Sequence, residues 1–359
     1  MILLGDIAIP SLKYSTLLDR QLSRYPWIFG DKPIVCNLEG LIMDDYDTTD
    51  STPILFNHSS VLSVLKNYNC KYVALANNHT LDKPNYFGET VSAIAKSNIA
   101  WNGAGRSSEE ASKPAIVDFN GKKIIIFNSC WHVMLQHQAN PNNGVYVNII
   151  KEDKTVQHVK EYRKLFPESI IMIYPHWNFD LESLPFPMHR EWSFDLIDAG
   201  ANMIVGGHSH CIQGGEKYKK GYIIYGLGNF YIPWHTFING HISFPEFARN
   251  ELAVEWDFEN EPILHFFKYT EGNDEHNLDL LASESFSNSS ILTKYSPYAN
   301  MSQNDYLDFF NINRRKKNLV PIYKSYKTPL TNRMKDYYLI MRIRLARKLA
   351  RIGLRGWNN

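Results

Sequence analysis

The stretch Met203-Ile204-Val205-Gly206-Gly207-His208-Ser209-His210 decides the fold. Its apolar run reads as a short buried strand, and the two glycines let the backbone turn sharply where the strand ends. His208 and His210 then fall on a loop at the strand's C-terminal edge, where open α/β sheets place their ligands. Alternate residues of an extended segment point the same way, so both rings can address one centre. Taken alone, the pair is either a set of metal ligands or two satisfied polar residues.

Outward from this stretch the same unit recurs. Ile2-Leu3-Leu4 ends on Gly5-Asp6, and Pro33-Ile34-Val35-Cys36 ends on Asn37-Leu38-Glu39-Gly40. Tyr72-Val73-Ala74-Leu75 runs into Ala76-Asn77-Asn78-His79, and Ile170-Ile171-Met172-Ile173 into Tyr174-Pro175-His176-Trp177. Between these runs the spacing of apolar residues predicts helices over Ser60–Tyr68, Tyr86–Lys96, Lys154–Leu165 and His189–Ala199. The β-α-β rhythm makes the chain an α/β protein. Asn120-Gly121 turns a hairpin between Ala115–Phe119 and Lys123–Phe127 that opens a second sheet. Gly221–Phe230 adds a strand and a turn, and Leu252–Phe258 with Ile263–Tyr269 forms a closing strand pair. Trp101-Asn102-Gly103-Ala104-Gly105 reads as a glycine-rich loop, and without a strand-to-helix context it is no phosphate cradle.

Bulk properties narrow the class. A chain of 359 residues, 44% apolar, holds one large α/β domain with an extension. Lys and Arg number 38 against 37 for Asp and Glu, so no overall charge draws the protein to nucleic acid. Cys36, Cys70, Cys130 and Cys211 lack the paired spacing of a zinc knuckle and read as reduced thiols. Met1-Ile2-Leu3-Leu4 meets Gly5-Asp6 at once, which is neither a signal peptide nor a spanning helix, and the expected compartment is the cytoplasm.

Three parts are expected: residues 1–270 as the catalytic domain, 271–330 as a polar linker or extension, and 331–359 as a basic amphipathic helix. Thr270 to Ser302 turns to Asn, Ser, Asp and Glu, which suits an exposed linker. From Arg333 to Arg355 only Asp336 is acidic, and Leu339, Ile340, Ile343, Ala346, Leu349 and Ile352 recur at helical spacing among the cations. Two readings stay open: a helix lying on an anionic inner leaflet, or an apolar stripe packed on the domain with its arginines solvated. No aromatic stacking platform accompanies the charge, so nucleic acid is not an expected partner.

Asp6, Glu39, Asn78, His79, His176, His208 and His210 come from five strand-to-loop junctions and can converge on one rim. Carboxylates, an amide and imidazoles without thiolates suit one or two divalent ions of Mn, Fe or Zn. A bridging carboxylate can hold two such ions about 3.5–4 Å apart, where they polarise a phosphoryl oxygen and acidify a bound water.

The series Gly5-Asp6, Asn37-Leu38-Glu39-Gly40, Ala76-Asn77-Asn78-His79-Thr80-Leu81-Asp82, His176-Trp177, Gly207-His208-Ser209-His210 and Gly226-Leu227-Gly228-Asn229-Phe230 resembles the CapA/PgsA family of capsule and poly-γ-glutamate synthesis proteins. That family is similar to the calcineurin-like metallophosphoesterases. The resemblance spans residues 1 to 270 and implies a four-layer α-β-β-α sandwich with a helical C-terminal extension. It implies that Glu39 stands at the metal-bridging position, with Asp6 and His210 completing one metal site and Asn78, His176 and His208 the other. His79 would face the leaving group as acid or transition-state stabiliser. Asp180 matches a position where the family usually has glutamate, after Asn178 in place of a usual glycine. Asp6-Ile7-Ala8 departs from the Asp-x-His of the phosphoesterases, which leaves one imidazole fewer and either a single tight metal or a second that joins with substrate.

The resemblance implies a metal-dependent hydrolase of phosphoesters or phosphodiesters that serves capsule, exopolysaccharide or poly-γ-glutamate synthesis. Its substrate would be a surface-polymer precursor or a phosphorylated small molecule. Amide-bond formation, polymer release, and a non-catalytic assembly role held together by metal are the alternatives. Leu184-Pro185-Phe186-Pro187-Met188 with Trp131, Trp177 and Trp234 form either an apolar wall beside the metal or core packing. The loops Met43–Ser51 and Phe179–His189 have no readable substrate signature.

Overall fold

Short aliphatic runs buried on both faces, as happens where helices cover a sheet, build two mixed sheets that each contain a block of parallel strands. A computed structural model describes residues 1–45, 54–119, 121–135, 144–237, 242–272, 275–315 and 320–351. In the seven-stranded sheet Ile2–Ile7, Ile34–Leu38, Cys70–Ala74 and Ala100–Asn102 run parallel, in that spatial order. On the other side of Ile2–Ile7 follow Asn250–Glu255, Ile263–Gly272 and Glu275–Ser285, all antiparallel. The six-stranded sheet is ordered Gly215–Tyr218, Gly221–Ile224, Met203–Val205, Ile170–His176, Lys122–Cys130, Ala115–Phe119, with antiparallel pairs only at its two edges.

The period-two alternation of each strand separates three apolar layers. Leu3, Val35, Tyr72 and Ala74 meet Ile124, Ile126, Met172, Met203 and Val205 between the sheets. Ile2, Leu4, Ile34, Cys36 and Val73 face outward onto Leu18 and Leu22 of helix Leu12–Ser23 and onto helix Ser60–Asn67. On the opposite outer face Ile125, Phe127, Ile171, Ile173 and Ile204 meet Val159 of helix Glu152–Leu165 and Met188, Trp192 and Leu196 of helix Pro187–Ala199. The layering is therefore α-β-β-α. All four cysteines are free and buried.

Three stretches depart from the sequence reading. The glycine-rich segment at 101–105 is not a loop; it belongs to the short strands Ala100–Asn102 and Ala104–Gly105. Helix Leu12–Ser23 carries too polar a sequence to announce itself, yet Ser15, Leu18, Gln21 and Leu22 are buried on one face. The segment read as an exposed linker contains strand Glu275–Ser285, and the chain that follows contains helices Ser290–Tyr295 and Gln303–Asn313. Composition misleads there because an edge strand covers one face only: His276 and Leu278 go in while Glu275 and Leu281 stay out. Further on, Tyr298, Tyr306, Phe310 and Tyr323 are buried against the outer face of the second sheet. Arg190 locks this part down, with Nε and Nη2 each 2.7 Å from the Glu216 carboxylate and Nη2 donating to Met301 O at 2.9 Å.

The final helix spans Pro329–Arg351; residues 352–355 of the basic stretch lie outside the described residues, as do 46–51 of the loop Met43–Ser51 and Asn120 of the hairpin turn. Among the described residues no helix is long and apolar enough to cross a membrane.

Candidate metal centre

Parallel strands deliver their C-terminal ends to one rim, and there the two sheets touch through side chains. Asp6 lies near the end of the first strand, fully buried, with Oδ1 accepting from Asn37 Nδ2 at 2.8 Å. Its Oδ2 accepts from the backbone N–H of His208 at 2.9 Å, which ties the first sheet to the second. Glu39 follows strand Ile34–Leu38, anchored by its own N–H to Ile7 O at 2.9 Å. His176 ends its strand, and its Nε2 lies 2.7 Å from Asn78 Oδ1, 3.1 Å from His208 Nδ1 and 3.7 Å from Glu39 Oε1.

The histidine loop is not an extended segment. His208 has φ of +85° and His210 of +53°, left-handed values that non-glycine residues seldom take and that cost energy the surrounding fold must supply. Gly206 and Gly207 have no such φ; they serve close approach. A Cβ on Gly206 would lie 2.1 Å from Tyr225 O and 2.2 Å from Trp177 Nε1, and one on Gly207 would lie 2.7 Å from Asp6 Oδ1. The rings reach one centre because of the twisted backbone, and ligand atoms of Glu39, His208 and His210 all lie within 4.8 Å of one another. Asn229 Oδ1 takes the Nδ1 side of His210 at 2.6 Å, which aims Nε2 elsewhere.

The structure brings Asp6, Glu39, Asn78, His79, His176, Asp180, His208 and His210 to this rim. His79 points Nε2 at Glu39 Oε1 from 3.9 Å and holds Nδ1 against Asp82 Oδ2 at 2.6 Å. Asp180, about half exposed, approaches His208 Nε2 with Oδ1 at 2.9 Å. The loop that carries it bends at Asn178, whose φ of +67° explains why asparagine serves in place of glycine. Asn178 is also buried, its Oδ1 accepting from Phe186 N and from His189 Nδ1.

Of the two readings of the aromatic cluster, the structure shows core packing. Trp131 and Trp177 are fully buried, and Phe186 and Met188 pack with them in the outer core. Trp177 stacks on His189 with centroids 5.0 Å apart and donates Nε1–H to Tyr225 O. Trp234 is half-buried under the Arg249 guanidinium. The aromatic ring that does border the imidazoles is Phe244, 5.4 Å from His210. Sequence reasoning missed it because it lies in irregular chain between strands, with no periodicity to mark it. The supporting parts of Asn37 and Asp82 were equally hidden, since amide and carboxylate side chains near strand ends usually serve turns.

Charge in this cavity is uncomfortable. Both Glu39 oxygens are buried with no hydrogen-bond partner. Burial pushes the Glu39 carboxyl well above its usual range, and the charges of Asp6, Asp180 and Asp82 push it further. Burial also raises Asp6, against the pull of His210 and of the His208 N–H. Burial drives the His176 and His210 imidazoles down; the neighbouring histidines add to the fall at His176, whereas at His210 the carboxylates of Asp180 and Asp6 oppose it. A divalent cation would relieve both, since it favours ionised carboxylates and neutral imidazoles together. The residues present therefore fit a metal of the Mn, Fe or Zn kind.

Residues 23–233 match the family described as bacterial capsule synthesis protein PGA_cap. The chain is 24% identical over 193 residues to "Capsule biosynthesis protein CapA" of Bacillus anthracis, covering 52% of this chain and 46% of that one. It is 27% identical over 205 residues to "PGA biosynthesis protein CapA" of Bacillus subtilis, covering 52% and 49%. The match thus spans about half the length of these relatives. Among solved structures, the NAD nucleotidase of Haemophilus influenzae superposes with a TM-score of 0.42 at 11% identity over 86% of this chain and 65% of that one. The 5'-nucleotidase of Candida albicans gives 0.40 at 10% identity over 85% and 54%. Since the matched region is more than half of the chain and holds every histidine of the rim, the protein belongs to the PGA_cap family of bacterial capsule synthesis proteins.

Proposed function

We propose that the protein is a divalent-metal-dependent hydrolase of a phosphoester or phosphodiester, acting in the making or modification of a surface polymer. The observation that carries this reading is Glu39: a buried carboxylate with both oxygens unpartnered, ringed by His79, His176, His208 and His210. Leaving such a charge uncompensated costs several kcal/mol, so its retention points to a cation. Glu39, His208 and His210 would hold the ion, with Asp6, Asn78 and His176 beside them. When bound, the metal supplies a Lewis acid and an acidified water.

The rest of the chemistry belongs to the protein's own groups. Asp82 fixes the proton of His79 on Nδ1, which leaves Nε2 facing the rim as the atom that takes or gives a proton at the leaving oxygen. Asn229 fixes His210 in the same manner. Asp6 holds the strained histidine loop through the His208 N–H. Phe244 and the cluster around it keep water from one side of the imidazoles. The polymer context rests on the printed names of the relatives, which concern capsule and PGA biosynthesis.

The experiment is to strip metal with chelator, reload with Mn, Fe or Zn, and follow hydrolysis of simple phosphoesters and phosphodiesters. Wild type should regain activity with at least one metal, while Asp6→Ala, His79→Ala and His208→Ala should not. Purified protein that binds no transition metal, or hydrolysis that survives all three substitutions, would end the proposal. Deleting the gene and inspecting the cell's surface polymer tests the context separately.

A further inference from the structure

We propose that the C-terminal helix Pro329–Arg351 lies flat on an anionic lipid surface. The stripe read from sequence is turned to the protein at Leu339, which is fully buried, and at Ile343, which packs against the outer core. Asp336, the helix's lone acid, is on this inner face too, bonded to His132 at 2.9 Å and to the Tyr323 hydroxyl at 2.9 Å. The inner face is accounted for.

About half a turn round the helix runs a second apolar stripe that the sequence reading did not separate from the first. Leu330 is 75% exposed, Met334 76%, Tyr337 68%, Met341 47% and Leu345 58%. Their spacing of three and four residues keeps them in one row. Nothing among the described residues covers them. Arg333 and Arg344 border the row and Lys348 continues it, all three exposed and without an acidic partner among the described residues. The outward face thus offers aliphatic and aromatic side chains bordered by cations and by no acid, over about 27 Å from Leu330 to Lys348.

Charge selects the occupant. A second copy of this helix would bring two cationic rims together and repel. A soluble polyanion would satisfy the cations but leave Leu330, Met334, Met341 and Leu345 in water. A leaflet of anionic headgroups over acyl chains meets both requirements at the depths where this helix offers them. The helix is not apolar enough to cross, so it lies in the interface.

The test uses the full chain with vesicles of phosphatidylcholine alone and of phosphatidylcholine mixed with phosphatidylglycerol, read by co-sedimentation. Wild type should pellet with the mixed vesicles, and added salt should release it. The variant Arg333→Gln/Arg344→Gln/Lys348→Gln should bind on the order of a hundredfold more weakly, from the loss of three cations near anionic lipid. Met334→Ser/Met341→Ser/Leu345→Ser should also lose binding, with an unchanged melting temperature because none of these side chains contacts the core. A fluorophore on Met341→Cys should shift to the blue with mixed vesicles, which reports insertion even if the triple variants misfold. Absence of vesicle binding, equal binding to neutral vesicles, or binding that survives both triple variants would overturn the proposal. So would a wild-type dimer that the serine variant makes monomeric, or a protein held by poly-γ-glutamate but not by vesicles.

Discussion

Replacing Glu39 by Gln separates a metal site from a merely buried acid. In the metal-free protein the wild-type carboxyl keeps its proton to well above its usual range, because burial and then Asp6, Asp180 and Asp82 oppose its charge. The unfolded chain loses that proton near 4.5. Between these two points the folded state binds the extra proton, so stability falls as pH rises, by about 1.4 kcal/mol per pH unit. Between about pH 6 and about pH 8 the wild type should therefore lose stability that Glu39→Gln, which has nothing to ionise there, should keep. Urea midpoints in chelator at both pH values, wild type against variant, read this difference, and slopes from unrelated groups cancel in the comparison. Metal added at a hundredfold excess over its dissociation constant should then stabilise the wild type by about 2.7 kcal/mol and the variant by far less. Parallel pH slopes for the two proteins would refute the burial argument, and an equal gain from metal would remove Glu39 from the ligand set.

Asp82→Asn should lower metal-dependent hydrolysis by about 10²–10⁴-fold and flatten its pH profile while metal content stays constant, since the lost function is the orientation of His79; loss of metal by mass spectrometry would contradict this. His189 is buried neutral with its imidazole pushed down to about 3 by burial and by His132. As pH falls below 6.5 the unfolded chain takes the proton first, so wild type should lose about 2 kcal/mol by about pH 5 in urea melts, and His189→Gln should not. Arg190→Leu should cost about 3–5 kcal/mol because Glu216 is left buried and unpaired, and a second change Glu216→Leu should recover most of it; equal stability of Arg190→Leu and wild type would show the pair to be inert.

Five of the rim residues were legible because each stands within three residues of the end of an apolar run, where a strand end is the simplest reading, while Asp180 was marked only by the family resemblance. Asp6, Glu39, Asn78, His176 and His208 all follow this rule. The extension after residue 270 was not legible, because strand Glu275–Ser285 has one wet face and because tyrosines such as Tyr298 and Tyr306 bury their rings while bonding their hydroxyls to backbone carbonyls. The final helix was half legible. Its periodicity marked one apolar stripe, but a helix with two opposed stripes shows the same composition as a helix with one wide stripe.

From its residues alone the chain determined the alternation of strands and helices, the α/β class and the donor set of the rim, because these depend on local periodicity and side-chain chemistry. Only the tertiary structure decided that neither Glu39 oxygen has a hydrogen-bond partner, that His208 and His210 aim through a left-handed backbone, and that Phe244 is the ring beside them. Those are relations between segments far apart in the chain, set by how two sheets close on one another, and no local pattern encodes them.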